Sequence, residues 1–251
     1  MRDHPTPGDR LAPSDTRDAI RVRLGFCALA CMALIAATRP VFQTSLPALL
    51  AASGAFLLAA ALVALCMDRS YPHPRMGACN ATTLARAALV ASLLMPLADG
   101  HAAGYAIAFV ATVALVLDGA DGWLARRSGL TSRFGARFDI EVDAALALML
   151  SLHALAGTSV GAEVLVLGLI RYAFVLAGRV WPWLRGDLAP SRRRKLICVL
   201  QIAALIALQV PDLPPDAAIL LARGAAVALA WSFAIDIAAL RARALALGHA
   251  P

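Results

Sequence analysis

Aromatic residues, charged residues and cysteines are all scarce in this sequence. Of its 251 residues, 6% are aromatic and 16% are charged. No basic stretch with interleaved aromatic residues occurs, so the net charge of +7 does not indicate a nucleic-acid-binding protein. The five cysteines are an odd number, and no histidine or second cysteine pair completes a metal-binding set. These absences argue against a disulfide scaffold and against a zinc site.

Long apolar runs make up most of the chain. Hydrophobic residues account for 61% of it, compared with about 45–50% in soluble domains. They form runs of about 15–24 residues, the length of a helix that crosses a hydrocarbon core roughly 30 Å thick. The sequence therefore predicts an all-α, polytopic membrane helix bundle with eight spans, at residues 24–38, 46–67, 84–97, 105–124, 138–156, 164–184, 196–208 and 217–240.

The positions of lysine and arginine predict how the spans are oriented. Of the 23 such residues, twenty lie in the connections and tails on one side of the predicted bundle, whereas the connections on the other side contain only Arg39. Cytoplasmic loops are enriched in these residues. We therefore expect both termini to be cytoplasmic, and the compact chain without organelle signals favours a bacterial cytoplasmic membrane.

Polar residues divide the chain into four parts. Residues 1–23 are predicted to form a polar cytoplasmic tail, and residues 24–67 a transmembrane hairpin with almost no polar side chains. Polar residues become frequent in the six later spans, so a six-helix functional bundle is predicted to begin near Asn80. Residues 241–251 form a second cytoplasmic tail.

Four aspartates lie at the cytoplasmic ends of two consecutive predicted spans. Asp118 and Asp121 are three residues apart and share a helix face, and Asp139 and Asp143 share another. Oxygen ligands without histidine or cysteine favour Mg²⁺, Mn²⁺ or Ca²⁺, and four carboxylates allow a two-metal site that clamps a phosphoryl group. Pairing with nearby arginines is the alternative, but it does not explain an aspartate as deep in an apolar helix as Asp143.

The wider pattern around these aspartates resembles the signature of the CDP-alcohol phosphatidyltransferases. That signature is D-x-x-D-G-x-x-A-R, eight residues, then G-x-x-x-D-x-x-x-D. The resemblance covers about residues 78–240 and implies a core of six membrane helices, to which the N-terminal hairpin is an addition. Every fixed position is matched, by Asp118, Asp121, Gly122, Ala125, Arg126, Gly135, Asp139 and Asp143.

The resemblance implies a phosphotransferase of phospholipid biosynthesis. Such an enzyme moves a phosphatidyl group from CDP-diacylglycerol to an alcohol acceptor and releases CMP, and homodimers are common in the family. The family pattern implies that two Mg²⁺ or Mn²⁺ ions are held by the four aspartates, with Asp143 also the catalytic base. It implies that the CDP moiety is bordered by Gly122, Ala125, Arg126 and Gly135.

The third predicted span begins with a further polar pattern, Asn80-Ala-Thr-Thr83-Leu-Ala-Arg86. It resembles the N-x-x-T-x-x-R start of the family's first core helix, which lies near the nucleotide. Asn80 and Thr83 are therefore candidate CDP-binding residues. A helix N-cap followed by an arginine that reaches the membrane surface is the alternative.

Arginines of the later spans are candidate acceptor-binding residues. Arg171 lies inside the sixth span with Arg179 two turns further on, and a buried guanidinium needs a partner such as the acidic cluster. Arg192 and Arg193 begin the next span, where they could bind a phosphate or carboxylate of the acceptor, or anionic lipid headgroups. In the last span we expect Asp236 to contact Arg171 or Arg241, and Arg223 to reach the membrane surface.

Two alternatives to this function stay open. A related enzyme would transfer from a CDP-amino-alcohol to diacylglycerol. A transporter or structural bundle would bind a cation without catalysis, but it would normally carry its carboxylates nearer the middle of the membrane. The acceptor is also open, since glycerol 3-phosphate, inositol phosphate, serine, choline or a second phospholipid would fit, with the basic residues favouring an anionic one.

Overall fold

Helices form all of the regular structure in the part of the chain that a computed structural model describes, which is residues 14–73, 75–128, 132–186, 188 and 191–246. The side chains of residues 14–16 and 120–128 lie outside this description. Short 3₁₀ turns at Ala162–Val164 and Pro182–Arg185 flank α7. In chain order the helices are α1 (Ser14–Phe42), α2 (Leu46–Ser70), α3 (Ala78–Ser92), α4 (Leu94–Ala98), α5 (Tyr105–Ser128), α6 (Arg133–Gly157), α7 (Leu165–Val180), α8 (Arg192–Ala207) and α9 (Pro215–Ala246).

The prediction of an all-α membrane bundle is confirmed. Each of the eight predicted spans coincides with helical structure. The spans predicted at residues 105–124, 164–184 and 196–208 fall on α5, α7 and α8, of which α7 and α8 each have 16 residues. Within the described residues, five helical stretches are long and apolar enough to cross a membrane, at Arg17–Phe42, Leu46–Ser70, Ala78–Ala98, Arg133–Gly157 and Pro215–Ala246. The chain is therefore a membrane protein.

The third predicted span is interrupted at Leu93, which separates α3 from α4. Pro96 explains the position of the break. Proline has no backbone N–H to donate to the carbonyl four residues earlier, and its ring crowds that carbonyl, here that of Ser92. At the break, the Leu93 N–H donates to the carbonyl only three residues earlier, that of Val90, at 3.2 Å.

Contacts between helices divide the chain into two units. The first contains the described residues up to His101 together with Phe109–Asp143, and the second contains Ala102–Ala108 and the described residues from Ala144 onward. In the first unit, α1 and α2 pack against each other and against α3, and α2 also packs against α4. The buried apolar side chains of these helices include Ile35, Ala52, Phe56, Leu84 and Met95.

Helical structure begins within the predicted N-terminal tail. α1 begins at Ser14, so residues 14–23 are helical. Burial and pairing explain the difference, because Ile20 is buried and Arg21 binds Asp68 of α2 through two side-chain nitrogens, at 3.2 Å and 2.9 Å. An amphipathic start of this kind extends the helix beyond the apolar run that a membrane span requires.

The opposite end of the α1–α2 hairpin is held by Ser45 and Asp99. The Ser45 N–H donates to one carboxylate oxygen of Asp99 at 2.6 Å, and the Ser45 hydroxyl donates to the other at 2.7 Å. Ser45 is also the N-cap of α2, and Asp99 directly follows α4. This pair therefore joins the hairpin to the third span.

The second unit is built on close helix contacts of α6–α9. Gly168 of α7 allows one of them, since a Cβ there would lie 2.2 Å from Ser151 Oγ and 2.8 Å from Leu148 Cα of α6. α8 packs along α9. Arg223, which we expect to reach the membrane surface, has an exposed side chain, and its Nε lies 3.3 Å from a carboxylate oxygen of Glu163.

The Ser45–Asp99 contact predicts a pH dependence of stability. The hydrogen bonds from the Ser45 N–H and hydroxyl hold the pKa of Asp99 below its usual value of 3.8. Their contribution is present above the unfolded pKa and is lost as the pH falls through the lower folded pKa. We expect Asp99→Asn to lower Tm at pH 7 and the difference from the parent protein to shrink below about pH 4.

Thermal unfolding in detergent from pH 7 to pH 3 measures this effect. Asp216→Asn is the matched control, because Asp216 is an exposed aspartate in the first turn of α9. An Asp99→Asn difference that stays constant across this range would contradict the assignment.

Candidate functional site

α3 carries three polar side chains into the interior of the first unit. Asn80, Thr83 and Arg86 follow at intervals of three residues, and their exposed fractions are 2%, 4% and 0%. The N-cap of α3 is Gly77. The interpretation of this pattern as a polar cap followed by an arginine at the membrane surface is therefore wrong. A fully buried guanidinium must instead be paired and hydrogen-bonded.

Arg86 binds three carboxylates and one backbone carbonyl. Its Nη1 lies 2.9 Å from a carboxylate oxygen of Asp118 and also pairs with Asp139, and its Nη2 pairs with Asp143. Its Nε donates to the Ala114 carbonyl at 3.2 Å. Because Asp118 belongs to α5 and the other two aspartates to α6, one α3 side chain brings together the acidic residues of two helices.

The same three aspartates fit a divalent cation. One carboxylate oxygen from each lies within 4.8 Å of the others, and the side chains are 24–34% exposed. Three carboxylates and one guanidinium leave a net charge of −2, which one divalent cation would neutralise. Oxygen ligands alone suit Mg²⁺ or Mn²⁺. The fourth predicted ligand, Asp121, has its side chain outside the described residues.

Gly135 lies against Asn80 at the start of α6. A Cβ on Gly135 would be 3.2 Å from Asn80 Oδ1 and 3.2 Å from Ser132 Oγ, so a larger residue would push on both. Asn80 Nδ2 forms no hydrogen bond of ordinary geometry within the described part of the chain. Two predicted CDP-binding residues are thus adjacent, with one buried donor available. The side chains of the others, Gly122, Ala125 and Arg126, lie outside the described part.

Arg193, one of the candidate acceptor-binding residues, has partners on α9. Its Nη1 donates to the Ser232 carbonyl at 2.9 Å and also to the Ser232 hydroxyl, and its Nη2 binds Asp236 at 2.6 Å. Its guanidinium carbon lies 5.7 Å from the centre of the Trp231 ring. Arg193 is therefore fixed in the second unit, with Arg194 Nη1 3.6 Å from the same Asp236 carboxylate.

This arrangement corrects one expectation. Asp236 pairs with Arg193 and Arg194 rather than with Arg171 or Arg241, because the start of α8 brings two guanidinium groups to the last span. Of the remaining candidates, Arg192 and Arg179 are exposed and Arg171 is half-buried. Nothing in the described contacts assigns an acceptor to any of them.

The sequence reasoning missed Arg86 as part of the acidic site. It sought a cation for the cluster in Arg171, whereas the guanidinium bound to Asp118, Asp139 and Asp143 is that of Arg86. The signal was available in the spacing of Asn80, Thr83 and Arg86, which places the arginine two turns into a helix on the face of two other polar residues.

The fold is that of an integral membrane protein, and three of its aspartates are grouped as the ligands of a metal ion would be. A family model described as CDP-alcohol phosphatidyltransferase matches residues 76–236, well over half of the chain and all of the cluster. The chain belongs to the CDP-alcohol phosphatidyltransferase family. Neither a curated protein nor a solved structure matches it.

Membership of this family confirms the resemblance that the motif carries. The protein is a phosphatidyl-transferring membrane enzyme, a transferase of substituted phosphate groups that belongs to phospholipid biosynthesis. Enzymes of the family bind CDP-alcohol donors and alcohol acceptors in the membrane, and they generally use divalent metals.

The Arg86 contacts predict a stability that depends on divalent cations. In Arg86→Gln the three carboxylates lose their guanidinium partner, and we expect the free energy of unfolding to fall by about 3 kcal/mol, the lower end for a broken buried pair because the carboxylates are part-exposed. Mn²⁺ should restore more stability to this variant than it adds to the parent, since it then neutralises the carboxylates alone.

Thermal unfolding in detergent with Mn²⁺ or with chelator measures both effects. Arg137→Gln is the control, because Arg137 is exposed on α6. Equal stabilisation of the parent and Arg86→Gln by Mn²⁺ would show that the cation and the guanidinium do not share these carboxylates.

Proposed function

We propose that this protein transfers a phosphatidyl group from CDP-diacylglycerol to an alcohol acceptor and releases CMP. The observation that carries the proposal is the set of three carboxylates around Arg86, at motif positions inside the family match. Asp118, Asp139 and Asp143, with Asp121 by motif position, would hold Mg²⁺ or Mn²⁺. Bound there, the metal would neutralise phosphate charge and activate the acceptor hydroxyl.

Asp143 is the proposed base. It accepts the proton of the acceptor hydroxyl as that oxygen forms a bond to the phosphorus that carries the lipid, while the bond from this phosphorus to the bridging oxygen breaks and CMP leaves. The contact with Arg86 Nη2 supports this role, because it orients the carboxylate and compensates for its burial. Positioning and charge neutralisation supply most of the catalysis of phosphoryl transfer.

The donor pocket is proposed to include Asn80 and Gly135. The Asn80 amide offers a buried donor, and the missing side chain of Gly135 leaves room beside it. Thr83, on the same face of α3, is proposed with them, although its hydroxyl donates to the Cys79 carbonyl at 3.0 Å. By motif position, the rest of the pocket is Gly122, Ala125 and Arg126.

The acceptor is proposed to be anionic and to be used at the cytoplasmic face. Lysine and arginine concentrate on the side of the chain where the motif lies, as in cytoplasmic loops of bacterial membrane proteins. Arg192 and Arg193 belong to this basic group, and the pairing of Arg193 with Asp236 supports a fixed guanidinium there. A planar guanidinium suits phosphate and carboxylate groups.

The test is CMP release by the purified protein with CDP-diacylglycerol, Mg²⁺ or Mn²⁺ and a panel of acceptors: glycerol 3-phosphate, inositol phosphate, serine and choline. We expect release with one anionic acceptor, its loss with chelator, and a fall of about 100-fold or more in Asp143→Asn, as for loss of a general base. Glu141→Gln is the control, because Glu141 is an exposed carboxyl on the same helix.

Two other outcomes would change the assigned substrates or the assigned activity. Release of CMP from a CDP-amino-alcohol with diacylglycerol, and none from CDP-diacylglycerol, would reverse the roles of donor and acceptor. Failure to bind CDP in the presence of either metal would contradict the enzymatic proposal and leave cation binding or transport.

A further inference from the structure

The segment between α2 and α3 carries a buried tyrosine, Tyr71, that is 3% exposed. Tyr71 ends α2, with its N–H donating to the Met67 carbonyl at 3.0 Å. Its ring packs edge-on against Phe134, with ring centres 5.8 Å apart. Phe134 is buried near the start of α6 and directly precedes Gly135. The end of the N-terminal hairpin is therefore packed against the helix that carries Asp139 and Asp143.

The hydroxyl of Tyr71 organises the turn that leads into α3. It donates to the Arg75 carbonyl at 3.0 Å, and the Gly77 N–H and the Asn80 side chain lie next to it. Burial raises the pKa of this hydroxyl above its usual value of 10.0, so it stays protonated as a donor at neutral pH. Gly77 is the N-cap of α3 and Asn80 lies in its first turn. One side chain thus contacts the start of α3, which carries Arg86, and the start of α6, which carries Asp139 and Asp143.

The two contacts converge on the proposed donor pocket. Asn80 Oδ1 is 3.2 Å from the position that a Gly135 Cβ would take, so the Asn80 side chain lies directly beside the start of α6. The Tyr71 hydroxyl borders Asn80 from the turn. A buried amide whose Nδ2 has no ordinary hydrogen bond within the described residues depends on such neighbours for its orientation.

We propose that Tyr71 is a positioning residue through which the N-terminal hairpin fixes Asn80 and the start of α6 for binding of the CDP moiety. The inference deepens the proposed function and rests on it. It also gives the added hairpin a role, because Arg21–Asp68 and Ser45–Asp99 hold α2, from whose end Tyr71 extends.

The first test compares Tyr71→Phe with the parent protein. The change removes the hydroxyl and keeps the ring. We expect the Kd for CDP with Mn²⁺ and the KM for CDP-diacylglycerol to rise about three- to tenfold, as for the loss of one hydrogen bond, with kcat within about twofold. Tyr105→Phe is the matched control, because it also removes a hydroxyl that is hydrogen-bonded to a side chain, that of Asp212, and Tyr105 is not part of the proposed site.

A double-mutant cycle with Asn80→Ala separates positioning from general stability. If Tyr71 acts through Asn80, Tyr71→Phe should not weaken CDP binding further once the amide is gone. Phe134→Leu is a second variant that leaves the hydroxyl in place and should also raise the Kd for CDP. These effects should occur without a fall in Tm beyond that of Tyr105→Phe.

The outcomes distinguish this inference from the function on which it rests. If the parent binds CDP and releases CMP while Tyr71→Phe has an unchanged Kd, or effects that add to those of Asn80→Ala, the role of Tyr71 is wrong and the proposed function stands. If the parent does not bind CDP, both are wrong.

Discussion

The buried guanidinium of Arg86 is the interaction on which the first unit depends. Carboxylates on membrane helices repel one another and are costly to remove from water. Arg86 offsets both costs by binding Asp118, Asp139 and Asp143 from a fully buried position on α3. Since three helices supply these four groups, the same contacts that make the charges tolerable also hold the helices in register. The aspartate cluster is thereby also a packing element of the first unit.

Sequence patterns were sufficient for the fold class and the acidic motif. The length of the apolar runs determined where helices occur, because backbone polar groups within a bilayer must be satisfied inside one segment. The spacing of Asp139 and Asp143 predicts that they share a face of one helix, and Asp118 is predicted at the same end of the preceding helix. The structure brings these three carboxylates together. Both inferences use only the helical period and the cost of placing polar groups in lipid.

Features that depend on contacts distant in sequence were not predictable in this way. α1 begins before its apolar run because Ile20 is buried and Arg21 gains its partner, Asp68, only when α2 is adjacent. The spacing of Arg86 indicates a buried position, but it does not reveal the three partners of Arg86, which are more than 25 residues away. The partner of Asp236 was misassigned because helical period alone does not reveal which basic residue of another helix reaches it.

The most direct measurement of the central claim is the ³¹P hyperfine coupling of bound Mn²⁺ in the presence of CDP, by electron–nuclear double resonance on the purified protein. We expect a phosphorus coupling in the parent protein and its loss in Asp139→Asn at the same concentrations of Mn²⁺ and CDP. A coupling of equal intensity in Asp139→Asn would place the cation elsewhere and contradict the assignment of the Arg86 cluster as the catalytic metal site.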